Sequence, residues 1–172
     1  MPEVIYYPEY RIYKPKNDNN GAASKLQLKV KIEKYREVQI FWEASQQTGI
    51  DANQNASFAW DDPKRKVIFK LDTPDIGELL AVINGSKDYA GPSPKAGAKI
   101  PPGMYHQNSA GNTVMQFSAM RNEKNLINGY YVRLTAKRGD GPAIEVKHTV
   151  SIAEAQIIKI FLEEAVKLIL GR

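Results

Sequence analysis

"KLQLKVKIEKY", residues 25–35, is the stretch on which the fold turns. Leu26, Leu28, Val30 and Ile32 fall in one phase, and Lys25, Gln27, Lys29 and Lys31 in the other. Successive side chains of a β-strand point to opposite faces, so the apolar set packs on a core and the polar set faces away from it. Antiparallel sheets commonly keep one polar, solvated face, and water is the ordinary neighbour of such a lysine row. A polyanion is the alternative, and the rest of the chain has to choose.

The 172 residues are 42% hydrophobic and 25% charged, which suits one domain with a substantial core. The formal net charge of +5 agrees with a nucleic-acid or anionic-surface partner. With no cysteine, disulfides and thiolate metal sites are excluded. The opening "MPEVIYYPEYRIYKPK" has neither the apolar run nor the small-residue cleavage site of a signal peptide. The sequence nowhere holds the roughly 18 consecutive apolar residues of a membrane span. An intracellular protein, cytoplasmic or nucleoid-associated, is expected.

Residues 1–24 carry Tyr6, Tyr7, Tyr10 and Tyr13 among prolines and end in the polar run "KNDNNGAAS". They read as a partly extended arm with a flexible joint, ahead of a single domain over 25–172. Strand candidates follow at 25–35, at 38–45 ("VQIFWEAS"), at 56–60 ("ASFAW") and at 66–71 ("KVIFKL"). "TPDIGELLAVING" is a helix, with Thr73 as N-cap, Pro74 at the first helical position, Asp75 at the positive dipole end and Gly85 closing it. Beyond a Gly/Pro-rich linker, "GPSPKAGAKIPPG" at 91–103, the same grammar returns. Strands are expected at 104–108, 113–121, 129–137 and 143–150. The last helix, "SIAEAQIIKIFLEEAVKLILG", opens with a Ser151/Glu154 capping box.

Ser151 stands 78 residues after Thr73, and at that spacing Leu79, Leu80 and Ile83 fall on Ile157, Ile158 and Phe161. The halves 25–85 and 103–171 therefore read as duplicates, each of four strands and a helix. The final helix is apolar around roughly half its circumference, wider than the stripe of about 100° that rests on one sheet. A second subunit is expected to cover the excess, along Ile158, Phe161, Ala165 and Ile169.

Catalysis needs convergent reactive groups, and few are present. His106 and His148 are the two histidines and lack metal-ligand spacing; His148, in phase with Ile144 and Val146, reads as a half-buried, satisfied side chain. Asp61 and Asp62 precede Pro63 and read as turn residues. "GPSPKAGAK" lacks the Gly-Lys-Ser/Thr of a P-loop, and Asp140-Gly141 of "RGD" is a hairpin signal. No enzyme, metal or cofactor is expected. The strands do offer cations interleaved with aromatics. Lys29, Lys31 and Phe41 are out of phase with the core, while Tyr131, Arg133 and Lys137 alternate with Val132, Leu134 and Ala136. Single-strand binding needs this pairing, because cations follow phosphates and aromatic faces stack bases. Duplex readers present a helix or ribbon to the major groove, and neither helix here has an arginine-rich face.

"FAWDDPKRKVIFKLDTPDIGELLAVI", 58–83, resembles the signature region of the Whirly family. There an aromatic-x-Trp and a basic cluster precede a strand ending in Leu and an acidic helix of the form E/D-I-G-E-L-L. "YHQN", the paired strands after it and a terminal helix ending in "LILG" keep the same order, over roughly residues 22–171. The resemblance implies an α+β fold of two antiparallel four-stranded sheets packed crosswise. It also implies two helices that close the core and join protomers into a tetramer, with single-stranded DNA along the sheet edges and between neighbours. The family, like the related coactivator positive cofactor four, binds such DNA with little sequence preference. The plant Lys-Gly-Lys-Ala-Ala-Leu stretch has no copy here, and no organellar transit peptide is evident, which points to a prokaryotic, archaeal or viral relative.

The reading is sequence-independent single-stranded DNA binding in DNA protection, repair, recombination or transcription, by a homo-oligomer. Lys29, Lys31, Lys64, Arg65, Arg133 and Lys137 are expected on phosphates, and Phe41, Trp60, Tyr105 and Tyr131 on bases. Trp60 fits a core position equally well. RNA binding or annealing is the alternative among nucleic acids, since stacking does not read the 2′-hydroxyl. Outside them, the alternative is an oligomeric scaffold whose basic face binds an acidic protein.

Overall fold

A computed structural model describes residues 3–171; Met1 and Pro2 of the expected arm, and Arg172, lie outside the described residues. In chain order the elements are β1 (Glu3–Tyr6), β2 (Tyr10–Lys14), β3 (Ala22–Ile32), β4 (Arg36–Ile50), β5 (Ala56–Phe58), β6 (Lys66–Leu71) and α1 (Thr73–Ile83). The second half holds β7 (Met104–Asn108), β8 (Gly111–Arg121), β9 (Ile127–Lys137), β10 (Ile144–Val150) and α2 (Ile152–Ile169). All pairings are antiparallel, in two sheets with two helices.

The first sheet holds six strands in four positions. β1 and β2 pair with successive stretches of β3, and β5 and β6 with successive stretches of β4. The four-stranded frame is therefore present but differently filled. The segment expected as a free arm forms one edge, because "YRIYK" alternates: Ile12 is 1% exposed while Arg11 and Tyr13 point outward. The stretches at 56–60 and 66–71, expected as separate strands, share the other edge, interrupted by a turn. The long β4, 15 residues, spans both pieces.

The second sheet runs β10-β9-β8-β7, and its edge is split in the same way. Ala90 N–H donates to Phe117 O (2.8 Å) and Ala119 N–H to Asp88 O (2.7 Å), so 88–90 lies on β8 ahead of β7. The linker leaves this edge at Gly91 and returns at Gly103. A Cβ on Gly91 would sit 2.8 Å from the Gly103 backbone, and both residues have left-handed φ, +94° and +83°. Glycine is required at both points.

Leu26, Leu28, Ile40, Trp42, Val67 and Phe69 of the first sheet face Phe117, Tyr130, Val132 and Leu134 of the second. β6 touches β8, β9 and β10, while β10 touches β2, β3, β4 and β6. A strand that meets successive strands of the facing sheet crosses them, as in orthogonal packing. A buried polar chain pins the crossing. Trp42 Nε1–H donates to Ser24 Oγ (3.0 Å), Ser24 Oγ–H donates to His148 Nε2 (2.6 Å), and His148 Nδ1–H donates to Thr149 O (3.0 Å). The indole can only donate and the carbonyl only accept, so Nδ1 carries a proton, and in the neutral ring that burial favours Nε2 is left to accept from Ser24. Burial also holds the His148 pKa below its ordinary 6.5.

Asp72, not Thr73, caps α1. Asp72 Oδ1 accepts from Asp75 N–H and Asp75 Oδ2 from Asp72 N–H, a capping box matching Ser151/Glu154 on α2. Ser151 stands 79 residues after Asp72, and at that spacing Ile76, Leu79 and Ile83 fall on Ala155, Ile158 and Leu162, all buried. The two helices thus repeat one residue out of the expected register. Ile158 and Ala165, expected between subunits, are fully buried in their own chain, with Phe161 and Ile169 packed partly against the same core. Apolar side chains of α2 left outside include Ile152 at its start and, further along, Ile157 and Ile160, 48% and 66% exposed.

Candidate nucleic-acid interface

Because the sheets pack inner face to inner face, their outer faces point in opposite directions. The ten candidate residues divide between them. Lys29, Lys31, Phe41 and Trp60 lie on the first outer face, and Tyr105, Tyr131, Arg133 and Lys137 on the second. Lys64 and Arg65 lie in the turn between β5 and β6. One chain does not bring all ten to a single site.

The first outer face is richly furnished. Lys29 sits at the register partner of Tyr6, and its Nζ lies 5.6 Å from the Tyr6 ring centroid and 4.7 Å from that of Phe41. Aromatic, cation and aromatic thus lie side by side across β1, β3 and β4. At the other end Tyr13, Phe58 and Trp60 form an aromatic cluster, with centroids 5.5 and 6.4 Å apart. Lys25 Nζ stands 5.1 Å from the Trp60 centroid, and Lys66 Nζ donates to Trp60 O (2.6 Å). Trp60 is therefore half-buried on the outer face, and Trp42 is the tryptophan of the core.

Charge on this face is mixed. Arg11 and Lys25 meet Glu9, Lys25 and Lys66 meet Glu43, Lys31 meets Glu33 (3.2 Å), and Lys70 meets Glu37 (3.2 Å). Gln39 and Lys70 hold the Glu37 carboxyl below the ordinary range. Among the described residues Lys29 makes no ion pair; its neighbours are rings.

The second outer face is more neutral. Arg133 and Lys147 converge on Glu145, whose pKa the two cations lower against the opposing effect of burial. Tyr105 is exposed, Tyr131 is half-buried, and Lys137 stands at the far end of β9. In the turn, Lys64 is exposed, but the Arg65 guanidinium is occupied, donating to Gln47 O (2.8 Å) and Gln46 Oε1 (3.3 Å). Arg65 braces β4 rather than standing ready for a phosphate.

Asp72, Asp75 and His106 also converge. Asp75 Oδ2 accepts the Asp72 N–H and lies 2.8 Å from His106 Nε2, while His106 packs 4.5 Å from the Phe69 ring. These oxygens serve the start of α1 and tie it to β7. Burial raises the Asp75 pKa, and the His106 charge opposes that shift.

Tyr6, Tyr13, Lys25 and Phe58 belong to the first outer face and are not among the candidates that sequence alone singles out. The alternation of "YRIYK" is the available signal for Tyr13. Tyr6 needs the knowledge that β1 pairs with β3.

No protein-family model and no curated protein matches the chain. Among solved structures it is similar to a chain of the trypanosome MRP1/MRP2 crystal structures, with 15% identity and a TM-score of 0.57, covering 95% of this chain and 86% of that one. It is as similar to a chain of a guide-RNA-binding protein complex bound to a guide RNA, with 16% identity and a TM-score of 0.57, covering 95% and 92%. The fold is Whirly-like. At this identity the likeness is one of architecture alone, and it does not show the Whirly family membership that the motif at 58–83 suggests.

Proposed function

We propose that this protein binds single-stranded nucleic acid on the outer face of its first sheet, as a homo-oligomer and without catalysis. The Tyr6–Lys29–Phe41 row carries the reading. It sets a cation without a carboxylate partner between two ring faces, the combination that phosphate tracking and base stacking require. The motif at 58–83 favours single-stranded DNA, in protection, repair, recombination or transcription. A neighbour of the same fold bound to a guide RNA favours RNA, and the face supports both because rings do not read the 2′-hydroxyl. Competition among single-stranded DNA, duplex DNA and RNA of one length tests the proposal. Either single strand is expected to displace the probe well ahead of duplex. Preference for duplex, or binding only to an acidic protein, refutes it.

A further inference from the structure

The β3–β4 hairpin carries Lys29 and Phe41 on its outward face and ends in the turn Glu33–Lys34–Tyr35, where Glu33 N–H donates to Tyr35 O (3.4 Å). Tyr35 is 85% exposed, more than any other large apolar side chain among the described residues. Tyr6, Tyr13, Phe41, Phe58 and Trp60 each have a ring or a cation beside them; among the described residues Tyr35 has neither. A notch of about 420 Å³ at the tip is lined by Lys31, Glu33, Lys34, Tyr35 and Glu37. Lys29 and Lys31 stand two apart on β3, and Glu37 is the register partner of Lys31, so these three side chains share one face. The notch joins that face to Tyr35, and the ring therefore opens on the side of the Lys29 row. Glu33 is answered by Lys31 (3.2 Å) and Glu37 by Lys70 (3.2 Å), whereas Lys34 makes no ion pair among the described residues. The tip is net positive by that one lysine. A tight turn thus presents a ring without a neighbour beside a cation without a carboxylate. Folding uses neither, and together they repeat beyond the sheet the pairing that Lys29 makes within it.

We propose that the hairpin tip is a second base-binding station for the bound strand: Tyr35 stacks one unpaired base, and Lys34 takes an adjoining phosphate. The proposal rests on the single-strand reading of the first outer face. At the rise of an extended chain, the tip lies on the order of 15 Å beyond Lys29. A strand that touches both stations therefore runs along β3, past Lys31, rather than only across the sheet.

The test is anisotropy with two labelled strands, one of about twelve nucleotides and one of about three, which is below the footprint of about four that a small single-strand site covers. On the long strand Tyr35→Ala should weaken binding roughly fivefold to a hundredfold, the loss of one stack, while Tyr35→Phe keeps the ring and stays within about twofold of wild type. Lys34→Gln should make the salt slope on the long strand shallower by about 0.7. On the short strand Tyr35→Ala should change affinity by no more than about twofold, because the Lys29 row still offers a complete station. Tyr35 is exposed, so Tm should stay at the wild-type value in every variant. A Tyr35→Ala protein that binds the long strand as wild type does overturns the tip station, and a Phe41→Ala loss in the same series leaves the face reading standing. Equal losses in Tyr35→Phe and Tyr35→Ala overturn stacking, and an equal loss on both strands overturns the separation of two stations. A change of assembly in light scattering also overturns the proposal, because the tip is then a subunit contact. Wild-type binding to no strand at all overturns the proposed function itself.

Discussion

Replacing Lys29 by Gln tests the interface most directly. Five other cations on the face, Arg11, Lys25, Lys31, Lys66 and Lys70, lie within 4.0 Å of a carboxylate, so part of their charge is already answered. Lys29 has rings for neighbours, and its whole charge is available to a phosphate. Each single-strand phosphate neutralised contributes about 0.7 to the slope of log K against log salt. Lys29→Gln should make that slope shallower by about 0.7, so between roughly 50 and 200 mM salt the variant loses about 2.6-fold less affinity than wild type. Stability should fall by about 1 kcal/mol, from two partly exposed cation–ring contacts. Lys25→Gln is the contrast. It leaves Glu43, 8% exposed, with Lys66 alone, and should cost fold stability while changing the slope less. Anisotropy of a labelled strand across a salt series reads the slope, and urea denaturation reads the stability. A folded Lys29→Gln protein whose slope parallels wild type refutes the phosphate role and returns the lysine row to an ordinary solvated face.

Phe41→Ala should weaken strand binding by about 1–3 kcal/mol with little change in salt slope, which the same titration separates from the lysine effect. Ser24→Ala removes the link between Trp42 and His148 and should cost about 1–3 kcal/mol in urea denaturation. His148 titrates below its ordinary 6.5 in the fold, so as pH falls the unfolded chain takes up its proton first. Stability from this group should be full above about pH 6.5 and decline below it, and a denaturation series flat from pH 7 into the acid range, with the fold intact, contradicts the buried neutral imidazole. Ile157→Glu/Ile160→Glu should dissociate an oligomer in light scattering without lowering Tm, whereas Phe161→Glu should unfold the chain; a monomeric wild type refutes the interface.

The sheets are legible in the sequence because most strands present one core face. Lys25–Ile32 and Tyr130–Lys137 alternate over eight residues or more, and a period of two is hard to mistake at that length. "YRIYK" has the same alternation over five residues among prolines, too short to outweigh a loop-like composition. The cap of α1 is ambiguous by one residue because Asp72 and Thr73 are both good capping residues; Asp75, three after Asp72, decides between them. On α2 the apolar circumference is plain, but a helical wheel does not say which side meets the sheet, and Ile158 and Ala165 lie inside rather than between subunits. The division of the interface has no signal at all. Lys29 and Arg133 occupy equivalent-looking alternating strands, and only the packing of the two sheets inner face to inner face turns their outer faces apart.

The pairing of two like sheets also answers the question posed by the lysine row. By position in their sheets, β3 and β8 correspond: each lies beside a split edge, in a four-position sheet followed by a capped helix. On β3 the outward side chains include Lys25, Gln27, Lys29 and Lys31; on β8 they are Asn112, Val114, Gln116, Ser118 and Met120. The same architecture is thus built once with cations on that strand and once without them. Folding demands the inward set, Leu26, Leu28 and Val30 in one sheet and Met115 and Phe117 in the other, and it is indifferent to charge outside. The lysines therefore have to be explained by what the face meets. Self-repulsion along one strand is unfavourable unless answered. On β3 it is answered by Glu9, Glu33 and Glu43 at Lys25 and Lys31, and only by rings at Lys29. The position without a carboxylate is the one flanked by two aromatic faces, where a passing phosphodiester would complete the charge balance that the fold leaves open.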